Sequence, residues 1–236
     1  MTESISVVIP VYNSEESLRE LSDRLMTVLD SLQTTFEIIF VDDGSQDDSW
    51  RIVSELFDND PRIIGIRLSK NFGQHIALFA GCNQASGTIV VTLDDDLQNP
   101  PEEIPVLLSK ISEGFDLVYG TPTVRQHSIW RNIASRITLV SLMTVMGVST
   151  PWRVSSFRAF RATLVDSLRE RGRPRMSIDV LLSWSTNSVA ACPVTHNVRR
   201  HGTSNYSMFR LLTGAIDIIC GFSVLPLRIV AVLGVS

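Results

Sequence analysis

The chain has 236 residues, 44% hydrophobic and 19% charged, with a net charge of −4. That is an ordinary globular balance, able to support a sizeable core and suited to one large domain or two small ones. Three widely spaced cysteines (Cys82, Cys192, Cys220) exclude a disulfide framework and a zinc pattern and fit a reducing, cytosolic setting. The start of the chain lacks the basic n-region of a signal peptide.

The charge is divided unevenly. Residues 1–120 hold 7 Lys+Arg against 21 Asp+Glu, and residues 121–236 hold 14 against 4. The second half is therefore suited to anions: phosphates, a lipid head group or an anionic membrane face. Nucleic acid is disfavoured, because no basic groove interleaved with aromatics and no nucleic-acid motif is visible.

Ser4–Val11 reads as a first strand, followed by a turn at Tyr12-Asn13-Ser14. Asn13 or Ser14 is expected to cap a helix over 15–32 with apolar positions Leu18, Leu21, Leu25 and Val28. A second strand, Phe36–Val41, runs into Asp42-Asp43-Gly44-Ser45. A helix over about 47–57, a strand over 63–68 and a small-residue helix from Phe72 to about Ala85 follow. The fourth strand, 88–93, is apolar and β-branched and ends in Asp94-Asp95-Asp96. Beyond Pro100-Pro101 come a helix (about 102–113) and a strand over 115–120. A long helix (129–147), a short basic strand at 152–161 followed by a helix to about Arg169, a basic loop at 169–175, a helix near 177–185 and a strand near 189–198 complete this part of the chain.

Strand and helix alternate with short connections, which predicts a doubly wound, mostly parallel α/β sheet flanked by helices. Parallel strands point their carboxyl ends to one edge, so both acidic clusters should share the ligand-binding edge. Three adjacent carboxylates repel one another unless a cation sits among them, and hard divalent ions take such oxygen ligands. No GxGxxG and no P-loop is present. A nucleotide bound here would be held through metal and base or ribose contacts. Residues 218–235 carry one charge, Arg228, and contain Pro226. They read as a broken interfacial helix, a membrane-proximal amphipathic segment over 211–236 following a catalytic domain over 1–210, with spanning helices expected beyond.

The motifs Val8–Asn13, Val41–Ser45, Asn71-Phe-Gly73, Leu93–Gln98 with Pro100-Pro101, Arg199-x-x-Gly202-x-Ser204-x-Tyr206 and Phe222–Arg228 occur in the order found in family-2 glycosyltransferases of GT-A fold. Within that family the chain resembles the polyprenyl-phosphate sugar synthases, similar to dolichyl-phosphate mannose synthase. The resemblance implies that Pro10, Tyr12 and Glu15 line the nucleotide pocket with Asp42 beside the base, and that Asp94 faces the ribose or donor sugar. It implies that Asp96, helped by Gln98, ligates Mg²⁺ or Mn²⁺ on the donor diphosphate, and that Arg199 and Ser204 close over that diphosphate. Asp95 reads as a spare acid, either solvated or set behind the residues that touch the ligand. His75, His127, His196 and His201 lack metal spacing.

The chain departs from the family at Trp152–Ser156, where a carboxylate, the usual general-base candidate, is often found. A sugar hydroxyl needs its proton removed, whereas a phosphate monoester is already largely anionic at neutral pH. The expectation is thus a metal-dependent, inverting transfer from a nucleotide-sugar, a UDP-sugar before a GDP-sugar, to a polyprenyl phosphate at the cytoplasmic membrane face. Arg153, Arg158 and Arg161 are expected to position that acceptor phosphate, with Arg158 counted among the catalytic residues, and Asp179 to sit on a helix surface or serve as a reserve base. The alternatives are the same fold acting on a sugar hydroxyl, a non-catalytic nucleotide-sugar-binding module and a metal-dependent phosphohydrolase. A homo-oligomer is left open.

Overall fold

The computed structural model describes residues 3–122, 154–166 and 177–197. The expected helix over 129–147, the basic loop, Arg153, Arg199, Ser204, Cys220 and the segment 211–236 lie outside the described residues. Among the described residues no helix is long and apolar enough to cross a membrane.

Seven strands form one sheet in the order β3-β2-β1-β4-β6-β5-β7. They are β1 (Ser4–Val11), β2 (Thr35–Asp42), β3 (Ile63–Arg67), β4 (Ile89–Thr92), β5 (Leu117–Pro122), β6 (Arg158–Arg161) and β7 (Val189–Val194). All neighbours pair in parallel except β6, which runs antiparallel to both β4 and β5. The helices are α1 (Leu18–Ser31), α2 (Ser49–Asn59), α3 (Gln74–Gln84), α4 (Ile104–Ser112, entered through a 3₁₀ turn at Pro101–Glu103) and α5 (Ile178–Ser185).

The two-residue period of the strands divides the core into two layers. Val7, Ile9 and Val11 of β1, Ile38 and Phe40 of β2, and Ile89 and Val91 of β4 pack with α1, α2 and α4. Val8, Ile39, Val41 and Val90 face the other way, onto α3 and α5. Strands covered on both faces read as continuous apolar runs, which is why β1, β2 and β4 were visible in the sequence. Helix α3 lies close against the sheet: a Cβ at Gly81 would stand 2.3 Å from Val8 Cγ1.

Sequential strands β1, β2 and β3 run one way across the sheet, and β4 starts on the far side of β1. The switch point, where open α/β sheets bind ligands, is therefore between β1 and β4. There β1 continues beside β2 to Val11, paired with Asp42, while its ladder with β4 stops at Val8, paired with Thr92. Val8 O still accepts Leu93 N–H at 3.4 Å. Groups two residues apart on a strand point the same way, so residue 10 also faces β4, beyond the end of that ladder. A proline there forfeits no hydrogen bond, and a crevice opens between the two strand ends.

Two of the boundaries that differ from the sequence expectation bear on the site. Helix α1 starts at Leu18, not residue 15, because the 13–17 turn is used to bind other loops. Asn13 is left-handed (φ 52°), and Ser17 donates its hydroxyl to Asp95 O at 2.6 Å and makes no cap to its own helix. Strand β6 starts only at Arg158.

Candidate active site

Both acidic strand ends reach the switch-point edge, and their loops are bonded to the turn after β1. Asn13 N–H donates to Ser45 Oγ (3.0 Å) and its Oδ1 accepts Gln46 N–H (2.8 Å). Ser14 N–H donates to Ser49 Oγ at 2.8 Å. A cleft of about 590 Å³ lies between Tyr12, the Gly44–Gln46 turn and the Arg67–Asn71 segment. Gly44 adopts φ 72°, and a Cβ there would stand 2.6 Å from the backbone of Lys70, so the two cleft loops meet at a position only glycine fits.

Asp42 is fully buried at the end of β2. Its Oδ1 accepts Ser45 N–H at 3.2 Å. Its Oδ2 is buried without a hydrogen-bond donor, and Arg67 Nε approaches only to 3.5 Å. A buried acceptor without a hydrogen bond is unfavourable, and the Arg67 guanidinium is the cation that faces it. Asp43 is used differently: its two oxygens accept the Phe72 and Gly73 N–H groups, each at 2.8 Å. Burial lifts its carboxyl above the ordinary range against the pull of those two donors.

The second cluster divides in the same way. Asp95 accepts Tyr12 N–H at 3.1 Å and the Ser14 hydroxyl at 2.5 Å. Together with the Ser17–Asp95 bond this fastens the β1 turn to the end of β4. Asp95 is therefore not spare: it is a half-buried brace, and desolvation pushes its carboxyl up to about 6. Asp94 accepts Ser156 Oγ on Oδ2 (2.5 Å) and Gln74 Nε2 on Oδ1 (2.6 Å). Burial, helped by the nearby Asp96 charge, raises its carboxyl. Asp96 accepts Gln98 N–H on Oδ1 at 3.1 Å, across Leu97, which is held at φ 59°. An apolar side chain buried in left-handed backbone is a strained conformation of the kind found at functional turns. Gln98 O accepts Asn197 N–H at 2.8 Å, which docks the segment after β7 against this turn.

Other expected residues sit elsewhere. Pro10 is buried in β1 beside the crevice. Glu15 is drawn off the pocket: its carboxylate accepts Asp48 N–H at 2.8 Å, at the start of α2, where helix amide groups favour an anion. Arg161 pairs with Ile89, at the start of β4 and thus at the opposite sheet edge, with its guanidinium on Ile111 O (3.0 Å) and toward Asp116 (3.7 Å). It does not meet an acceptor phosphate at the switch point. Arg158 is at the correct edge, paired with Thr92, but it is only 1% exposed and ion-paired with Asp179. It is a buried structural cation, not a phosphate-facing one, and Asp179 is a buried partner, not a helix-surface residue. Gln74 and the Arg67–Lys70 wall were not singled out in the sequence, and Asp43 and Ser156 were noted there without a role, because nothing local distinguishes them before the loops are brought together.

The sequence profile of the glycosyl transferase family 2 matches residues 6–169. The chain is 39% identical over 231 residues to the undecaprenyl-phosphate 4-deoxy-4-formamido-L-arabinose transferase of Salmonella typhimurium (strain LT2), covering 98% of this chain and 71% of that protein. It is 38% identical over 233 residues to the transferase of that name from Pseudomonas savastanoi pv. phaseolicola, covering 98% and 69%. Among solved structures, glucosyl-3-phosphoglycerate synthase from Mycobacterium tuberculosis, in complex with Mn²⁺, UDP-glucose and phosphoglyceric acid, superposes with a TM-score of 0.63 at 22% identity, covering 92% of this chain and 77% of that one. S. aureus TarS (residues 1–349) gives 0.55 at 19%, covering 81% and 60%. At these identities the solved structures show a shared fold.

Proposed function

The chain belongs to glycosyl transferase family 2, and on that premise we propose that it moves a sugar from a UDP-sugar to a polyprenyl phosphate at the cytoplasmic face of a membrane, inverting the configuration at C1. One observation carries the reading: two acidic strand ends flank a single crevice at the switch point, Asp42 with a buried oxygen that accepts no hydrogen bond and Asp94 with Asp96 across β1. The acceptor half draws support from relatives named for undecaprenyl-phosphate.

In this reading the nucleoside occupies the cleft against Tyr12 and the Arg67–Asn71 wall, with a base N–H on Asp42 Oδ2. Asp94, held at both oxygens, orients the donor sugar. A Mg²⁺ or Mn²⁺ ion fits the residues present. Asp96 and Gln98 offer hard oxygen donors, and such ions take one or two carboxylates with substrate phosphates as the remaining ligands. Among the described residues no three His, Cys, Asp or Glu side chains converge, so the diphosphate completes the set. When bound, the ion supplies Lewis-acid neutralisation of the leaving diphosphate. Arg199 and Ser204 close over that diphosphate by charge-assisted hydrogen bonds, and Arg153 receives the acceptor phosphate.

The described segment Val154-Ser155-Ser156 carries no carboxylate, and its Ser156 hydroxyl is given to Asp94. A phosphate acceptor needs no base, because its second pKa of about 6 leaves it anionic at neutral pH. Radiolabelled UDP-sugars with Mn²⁺, offered either a polyprenyl phosphate or free sugars, test the reading. Label should move to the lipid, stop with EDTA and resume with added Mn²⁺. Label on free sugars alone, or release of nucleoside monophosphate from the donor without an acceptor, would refute it.

A further inference from the structure

Behind Asp94 lies a buried polar chain that the transfer reaction does not itself require. Arg158 (1% exposed), Thr92 (0%), Tyr119 (2%) and Asp179 (7%) are enclosed between β4, β5, β6 and α5. Asp179 accepts from the Arg158 guanidinium and from Tyr119 OH on Oδ1, and from Ser177 Oγ on Oδ2. Arg158 Nε donates to Thr92 Oγ1 at 2.9 Å, and Thr92 Oγ1 in turn donates to Ser156 O at 2.8 Å. Ser156 Oγ then donates to Asp94 Oδ2 at 2.5 Å. Every link is a hydrogen bond with one direction, and the Thr92 hydroxyl is the hinge, because it accepts on one side and donates on the other.

A buried ion pair is weak evidence for stability, since well-packed apolar replacements are often as stable. What an apolar pair would not provide is this directional grip on the segment before β6. The Ser156 carbonyl is fixed from the core and its hydroxyl is left aimed at Asp94. Burial alone would lower the Arg158 pKa, and the Asp179 carboxylate offsets this so that the guanidinium stays charged.

We propose that Arg158 and Asp179 are positioning residues that act through Thr92 and Ser156 to fix the carboxylate of Asp94 toward the donor sugar. The proposal rests on the reading that Asp94 faces the donor. It assigns the Arg158–Asp179 pair a role distinct from contact with the acceptor phosphate.

Thr92→Val removes the hydroxyl at nearly constant volume, and Thr92→Ser keeps it. Both are compared with Ser156→Ala and the double variant Thr92→Val/Ser156→Ala. Melting temperatures are recorded beside kcat and KM for a radiolabelled UDP-sugar, with Mn²⁺ and a polyprenyl phosphate. Thr92→Val should lower kcat by about tenfold with KM within about twofold, since a displacement near 1 Å at a reacting group can lower rates by as much as a hundredfold. Thr92→Ser should recover most of that loss. Ser156→Ala should lose about as much as Thr92→Val, and the double variant no more than either, because both interrupt one chain. Wild-type kcat in Thr92→Val, equal losses in the Val and Ser variants tracking melting temperature, or multiplying losses in the double variant would each overturn the proposal. Failure of the wild-type chain to use a polyprenyl phosphate would instead defeat the acceptor reading. In that event a crystal structure of Thr92→Val decides this proposal: a displaced Ser156 and Asp94 supports it, and an unchanged Ser156–Asp94 contact overturns it.

Discussion

The ends of β2 and β4 look alike in sequence, each an apolar run closing on adjacent aspartates, and the structure gives each cluster the same division of labour by different means. At β2, Asp43 braces the 72–73 turn through two backbone N–H groups, while Asp42 keeps a buried oxygen without a hydrogen bond. At β4, Asp95 braces the turn after β1, while Asp94 is held by the side chains of Ser156 and Gln74. One acid in each cluster braces a neighbouring loop through backbone N–H groups, and the other sits beside it at the strand end. Adjacent residues on an extended chain face opposite ways, so this alternation is the least rearrangement that serves both ends.

The largest test of that comparison is within the β4 cluster. Asp96→Ala should reduce turnover by about a thousandfold, the scale of several kcal/mol attached to charge neutralisation by a divalent ion. Asp95→Asn should remain within about tenfold of wild type, because its role is to accept Tyr12 and Ser14. Steady-state transfer assays check both, and a loss in Asp95→Asn equal to that in Asp96→Ala would break the division. The β2 cluster offers a smaller contrast. Asp42→Asn should weaken donor binding by about tenfold or more with little change in kcat, as expected when a hydrogen bond to a charged group is lost. Calorimetric titration with UDP measures it, and unaltered affinity would remove Asp42 from the binding wall.

The sheet was legible because strands buried on both faces spell continuous apolar runs, and the β1–β4 switch point follows from the order of elements. What was not legible depends on partners distant in sequence. Asn13 and Ser14 read as alternative caps for α1, but they are taken by Ser45, Ser49 and Asp95. Arginine at 158 and 161 read as one basic patch, because isolated charges are usually exposed. The pairing of β6 with β4 instead puts them at opposite edges and encloses one. A signal for that was present: Arg158 lies within Phe157, Ala159 and Phe160, and an arginine in a buried run needs an acid. Asp179 is one of four acids in residues 121–236.

The smallest effects test whether Asp43 is a brace alone. Asp43→Ala should lower stability by about 2 kcal/mol, within the usual worth of hydrogen bonds to a charged group, measured by denaturant unfolding with donor affinity of the folded protein little changed. The same residue should leave a mark on the pH dependence. Burial holds its carboxyl above the ordinary aspartate value in the folded protein, so between the unfolded and folded values the folded state binds more protons than the unfolded one. Its stabilising contribution is therefore complete below the unfolded value and declines as pH rises through the folded one. Asp43→Asn has no such step. The stability difference between wild type and Asp43→Asn should then shift against wild type as pH is raised through that window and level off above it. A flat difference, or one of opposite sign, would mean that the Phe72 and Gly73 N–H groups outweigh burial, and that the turn gains its support from the carboxylate charge.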